Sequence, residues 1–219
     1  DPSATKTGKY NKDNDDSIDW TIDLEGGNYG LGETLTLTAT MSDNQVLVED
    51  SVKVYFDGVK ATTIPAGDLK EPAEGETFSF QLDINNVDGY TSGAAQAIQV
   101  KYKTRLKASA YIKDEDPATT EDITATNEAE FAWKNGGEAK IEKVPVTVTI
   151  PKGDLNRITK EGKFIPETRE IKWTVTVKTY NENYQYLHLI DTLDKGLKYD
   201  VDSIVVKAND ADTGTAVTV

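Results

Sequence analysis

The phrase Thr5-Lys6-Thr7-Gly8-Lys9-Tyr10 returns 154 residues later as Thr159-Lys160-Glu161-Gly162-Lys163-Phe164. Each copy runs on through an isoleucine, a one-residue gap and a tryptophan into a strand of alternating side chains. Ile18-Asp19-Trp20-Thr21-Ile22-Asp23-Leu24 matches Ile171-Lys172-Trp173-Thr174-Val175-Thr176-Val177, and Leu35 to Val52 lies ungapped over Leu187 to Ile204. Ser51-Val52-Lys53-Val54 then falls over Ser203-Ile204-Val205-Val206. A period of about 153 residues in a chain of 219 implies one domain and the beginning of a second. The first is expected over 1–150, where Pro151-Lys152-Gly153-Asp154 breaks the last strand. The second is expected over 151–219, too short for a whole copy, so that either it is truncated or its later strands come from another segment.

Within each copy the side chains alternate with period two. From Thr34 to Met41, Leu35, Leu37, Ala39 and Met41 face one way and four threonines the other, the pattern of a half-buried strand. Further strands are expected at 18–24, 52–56, 77–84, 96–111, 123–133 and 139–150, with Asn135-Gly136-Gly137 as a hairpin turn. No stretch keeps a helical period over three turns. The expected architecture is all-β: tandem immunoglobulin-like antiparallel sandwiches, the second one incomplete.

Composition removes several classes of function. A net charge of −14 makes phosphate backbones and anionic membranes poor partners, so no nucleic acid and no membrane insertion are expected. No segment approaches the roughly 20 apolar residues of a membrane span. The absence of cysteine excludes disulfides, thiolate metal sites and cysteine nucleophiles. Any covalent reinforcement must use other side chains.

One inward polar residue stands out. In Ala125-Thr126-Asn127-Glu128-Ala129-Glu130-Phe131-Ala132-Trp133, Asn127 shares its face with Ala129, Phe131 and Trp133. An asparagine on an apolar face is costly unless it is bonded. Together with the "KTG" phrase, the tryptophan 14 residues after Lys6, and Tyr102-Lys103-Thr104, this stretch resembles the A-region domains of Gram-positive collagen adhesins and related isopeptide-forming surface proteins.

The resemblance implies that a strand-one lysine joins a last-strand asparagine through an amide bond, helped by a buried acid. It assigns Lys6 and Asn127 as the crosslinking pair of the first domain, and Lys160 as the lysine of the second, its partner lying outside these residues. Asp191 shares parity with Leu187, Leu189 and Leu193 and stands 18 residues after Trp173, where the family's acid lies. It is therefore expected to point inward as the catalytic acid of the second domain. In the first domain the aligned position holds Ala39. Either another acid such as Asp23 or Glu33 substitutes, or the bond forms slowly or not at all, or the ungapped register is wrong.

The chemistry sets its own demands. An amine attacks a carboxamide carbon and ammonia leaves, so a lysine with an ordinary pKa near 10.4 must be neutral, which burial promotes. The carboxamide oxygen must be polarised, and a carboxylic acid kept protonated by the same burial can do so.

Other motifs read more plainly. The run 11–19 alternates oxygen side chains as a calcium loop does, but it lacks the loop glycine and the closing glutamate, and reads as a solvated turn. Asp114-Glu115-Asp116 and Asp210-Ala211-Asp212 are weaker still, so no metal and no cofactor are expected. His188, the single histidine, lies on the strand face opposite Asp191 with no nucleophile placed beside it, and reads as a surface residue. Trp20, Trp133 and Trp173 stand at core parity, as packing rather than a sugar platform. Ile165-Pro166-Glu167-Thr168-Arg169 has arginine where a sorting signal needs glycine, and reads as a loop.

The expected function is thus non-enzymatic: an adhesin or stalk on the wall-attached surface of a Gram-positive cell. By resemblance, its partner is a host matrix protein such as collagen. A wall anchor is expected outside these residues. The competing expectation is an accessory module of a secreted polysaccharide-active enzyme, which predicts an exposed aromatic row and bound calcium. A hydrolase in its own right has no paired carboxylates placed by any motif.

Overall fold

In the computed structural model the described residues are 2–12, 17–27, 30–70, 79–107, 110, 121–134, 140–151, 158–177, 189–208 and 211–212. The chain divides into two compact units, Asp1–Glu182 and Asn183–Val219. That division differs from the expected break after residue 150, because the first hairpin of the second copy falls in the first unit.

The first unit is built on two antiparallel sheets. One contains β1 (Ser3–Asn11), β2 (Ser17–Glu25), β9 (Ala97–Leu106), β5 (Lys53–Phe56) and β6 (Val59–Lys60) in that spatial order, with β4 (Gln45–Leu47) also paired to β9. The other runs β11 (Lys140–Ile150), β10 (Ile123–Lys134), β3 (Thr34–Met41), β8 (Ser79–Asp83) and β7 (Leu69–Lys70). The strands read from the alternation of side chains are all present. The short β4, β6 and β7 were not foreseen, and β9 stops at Leu106 rather than continuing to 111. The proposed turn at 135–137 lies outside the described residues, although β10 and β11 pair antiparallel as a hairpin requires.

Alternation fixes what each strand buries. Ile18, Trp20, Ile22 and Leu24 of β2, Leu35, Leu37, Ala39 and Met41 of β3, Val100 and Tyr102 of β9, and Ala125, Ala129 and Phe131 of β10 all point into one core between the sheets. A slip of one residue in any of these strands would turn its whole apolar set toward water. The sheets approach each other at one edge, where β1 lies against β11 and the Ala4 amide donates to Glu142 Oε1 at 3.3 Å. The lysine strand therefore closes one side of the sandwich.

The second copy of the phrase forms the hairpin β12 (Ile158–Ile165) and β13 (Glu170–Val177) in the register of the first. Gly8 stands across from Trp20, and Gly162 across from Trp173. A Cβ on Gly8 would lie 2.5 Å from Trp20 Cζ3 and 2.5 Å from Val148 Cγ2; one on Gly162 would lie 2.4 Å from Trp173 Cζ3. The glycine recurs because the indole ring occupies the space a Cβ would need. In the second unit, residues 189–200 form no strand, Val201–Ser203 is a 3-10 turn, and β14 (Lys207–Ala208) pairs with β15 (Ala211–Asp212). Of the equivalents of the β5 residues, 205–208, only Lys207 and Ala208 form a strand here, paired with β15.

Candidate functional site

Lys6 lies on β1, paired with Ile22, and Asn127 on β10 of the opposite sheet, flanked by Met41 on β3 and Val146 on β11. Both are inward by strand parity, and both are buried, at 7% and 1% exposure. The Lys6 ammonium position is hydrogen-bonded to Asn127 Oδ1 across the sandwich. On its way it passes 5.3 Å from the centre of the Trp20 ring and 5.8 Å from that of Tyr102. The pair expected from the sequence is brought together.

Burial dominates the electrostatics. Removed from water among aromatic rings, the Lys6 amine is lowered to about 7, against a smaller upward pull from the charge of Glu128. Near neutral pH a large share of it is therefore uncharged and carries a free lone pair. Glu128 occupies the outward face of β10, where Lys143 lies 3.6 Å away.

Asn127 is held asymmetrically. Its Oδ1 accepts from Lys6 and from the Tyr102 hydroxyl at 2.8 Å. Its Nδ2 is the single buried side-chain nitrogen or oxygen among the described residues with no hydrogen-bond partner. The neighbouring buried polar groups are satisfied: Trp20 Nε1 donates to Thr104 Oγ1 at 2.8 Å, Thr104 donates to Gln45 Oε1 at 2.7 Å, and Gln45 Nε2 donates to Ser42 Oγ at 2.8 Å and to the Thr126 carbonyl at 2.9 Å. An orphaned amide nitrogen in a core of this quality calls for an explanation.

Sequence reasoning passed over Tyr102, although the signal was present. Ile98, Val100, Tyr102 and Thr104 alternate inward on β9, and a core tyrosine needs a partner for its hydroxyl. Trp20 pairs with it from β2, and Phe80 meets its ring edge-on, with centroids 4.8 Å apart at 85°.

Of the three explanations for the missing acid, substitution by Asp23 or Glu33 has no support in the geometry. Asp23 sits on the outer face of β2, accepting from Gln99 Nε2 at 2.6 Å, and Glu33 is exposed in the turn before β3. Ala39 is fully buried beside Ala129 and Phe80, so the position is an inward one, occupied by a methyl group. Among the described residues no aspartate or glutamate is buried.

In the second copy Lys160 lies 4.6 Å from the centre of the Trp173 ring, repeating the lysine-over-indole contact, but both residues are exposed. Asp191, expected to face a core, is exposed in a segment without strand structure, next to Thr192, Leu193, Leu197 and Tyr199 around a shallow open hollow. An inward position needs an opposing sheet, and the described residues around it, 189–193, form no strand. Trp20 and Trp133 are core residues as expected, whereas Trp173 is 43% exposed. His188, the acidic stretches at 114–116 and Asp210, and much of the run 11–19 lie outside the described residues. Among those described, no group of three potential metal ligands converges.

No curated protein matches the chain. Among solved structures, the collagen-binding domain of a Staphylococcus aureus adhesin is similar at a TM-score of 0.42 and 10% identity, covering 68% of this chain and 96% of that one. The collagen binding subdomain of the Enterococcus faecalis surface protein ACE gives 0.44 and 15%, covering 68% and 95%. The major pilin SpaD of Corynebacterium diphtheriae gives 0.46 and 12%, covering 74% of this chain but only 36% of the pilin. The sequence model of the collagen binding domain family matches residues 1–135, a span that takes in the strands of Lys6, Trp20, Tyr102 and Asn127. The chain belongs to the collagen binding domain family.

Proposed function

We propose that this chain is part of a Gram-positive surface adhesin or stalk whose first sandwich, 1–150, is locked by an amide bond between Lys6 Nζ and the Asn127 side chain, with a second domain of the same kind beginning at 151. Family membership supports the surface role. The observation that carries the crosslink is the buried Lys6–Asn127 contact with Asn127 Nδ2 left unbonded. In the reaction Nδ2 departs as ammonia, and with it goes the one unsatisfied buried side-chain polar atom among the described residues. Asp191 and Lys160 are assigned the same chemistry in a completed second domain.

Such a bond suits a protein under load. It spans 121 residues of sequence, so loop-closure arithmetic gives an effect on the order of 4 to 5 kcal/mol. Because β11 follows β10, Asn127 stands on the penultimate strand of the sandwich rather than the last. Tension entering before Lys6 crosses directly to Asn127, and the loop between them carries none of it. Only the stretch 128–150 stays peelable.

The finer proposal, taken from the family's name, is that the surface protein grips collagen. Peptide mapping tests the crosslink: a proteolytic fragment joining the Lys6 and Asn127 peptides is expected, and it disappears in Lys6→Ala. Surface plasmon resonance on immobilised triple-helical collagen tests the ligand. Saturable binding supports the adhesin role, whereas no binding by a crosslinked chain assigns it to the stalk.

A further inference from the structure

The crosslink proposed above needs a donor to polarise the carboxamide oxygen, and the first sandwich places a methyl group, Ala39, where the aligned second copy has Asp191. Asp23 and Glu33 face away from the site, and Glu128 points outward beside Lys143. Among the described residues no carboxylic acid is buried to replace them. The donor that does reach Asn127 Oδ1 is the hydroxyl of Tyr102, at 2.8 Å. We infer that Tyr102 is the catalytic proton donor of this site, taking the place of the carboxylic acid.

Three features equip it. The ring is fixed, by Trp20 beside it on β2 and by Phe80 edge-on from the opposite sheet, so the hydroxyl arrives already aimed. The phenol is 2% exposed, and burial drives its pKa well above the ordinary value, so it remains a neutral O–H donor wherever the amine is neutral. Its hydrogen bond ends on the atom where negative charge develops during attack. A tyrosine hydroxyl and a protonated carboxylic acid serve this role side by side in the oxyanion hole of ketosteroid isomerase.

The step balances without an oxidant or co-reactant. The Lys6 lone pair forms a bond to the Asn127 carboxamide carbon, and the carbonyl electrons move to Oδ1, which shares the Tyr102 proton. Collapse of this intermediate breaks the carbon–Nδ2 bond, and a proton released by Nζ travels to Nδ2, so that one ammonia leaves and the phenol is regenerated. One amine and one primary amide become one secondary amide and ammonia.

The test uses the full chain made by cell-free synthesis, sampled over time and read by intact mass, comparing wild type, Tyr102→Phe and Lys6→Ala. Wild type is expected to lose one ammonia, Lys6→Ala none, and Tyr102→Phe to close more slowly by on the order of 100-fold, the effect of removing one oxyanion donor. Tyr102→Phe should melt with Lys6→Ala before closure, marking it as folded. A wild type that keeps its full mass overturns the crosslink itself, and Tyr102's role with it. A wild type and a Tyr102→Phe that close at the same rate overturn the role of Tyr102 alone. If Tyr102→Phe does not fold, 3-fluorotyrosine placed at 102 decides: it keeps the shape and acidifies the phenol, so a closure rate severalfold different from tyrosine supports the donor, and an unchanged rate refutes it.

Discussion

The same lysine phrase builds the same hairpin twice, and only one copy is buried against an asparagine. In β1–β2 and β12–β13 the registers match, a glycine lies beneath a tryptophan ring, and the lysine amine stands about one ring-contact away, at 5.3 Å in the first copy and 4.6 Å in the second. The first hairpin is roofed by the opposite sheet, so Lys6 and Trp20 are buried and the amine is lowered to about 7. The second leaves Lys160 and Trp173 exposed. Local sequence therefore sets the hairpin and aims the lysine, while reactivity comes from the strands that cover it and supply the partner.

The largest expected contrast lies between the two lysines. Lys6→Ala should lower thermal stability by on the order of 4 to 5 kcal/mol through loss of the closed loop, whereas Lys160→Ala should stay within about 0.5 kcal/mol. Equal effects would break the comparison. Force spectroscopy on the first sandwich sharpens it. The locked domain should extend only through the stretch 128–150, roughly 80 Å at about 3.5 Å per residue, and Lys6→Ala by roughly 500 Å.

Next come the glycines. Gly8→Val drives a side chain into Trp20 and Val148 within the sandwich and should cost about 1 to 3 kcal/mol, while at Gly162 the exposed Trp173 ring can swing away and the cost should be smaller. Paired thermal melts in the Lys6→Ala background check this, free of the crosslink. Comparable costs would mean that both indole rings are equally confined.

The last contrast is the pH dependence. Before closure, the folded chain holds Lys6 at about 7 and the unfolded chain near 10.4, so between those values the unfolded state binds more protons and folding stability rises with pH. Closure should likewise quicken as pH rises through about 7 and level off above it. Stopped time courses of the mass shift read this directly, and a rate that is flat from pH 6 to 9 would contradict a neutral-amine attack.

Much of this was legible in the sequence because period-two alternation states which residues face the core. It placed Asn127, Trp20 and Ala39 inward, and each is inward; Lys6 comes from the resemblance rather than from alternation, and it too is buried. It failed where function depends on which strands become neighbours. Tyr102 reads as one more apolar-face residue until β9 is seen beside β2 and opposite β10, and Asp23 stays plausible until its parity and its bond to Gln99 turn it outward. Asp191 shows the converse. Its parity is inward, but parity describes a strand, and its segment is not one.

Intact mass of the purified chain bears most directly on the claim that the first copy is a reactive site. The expected value is one ammonia, roughly 17 Da, below the sequence mass, with Lys6→Ala at its full calculated mass. A wild-type chain at its unshifted mass would contradict it.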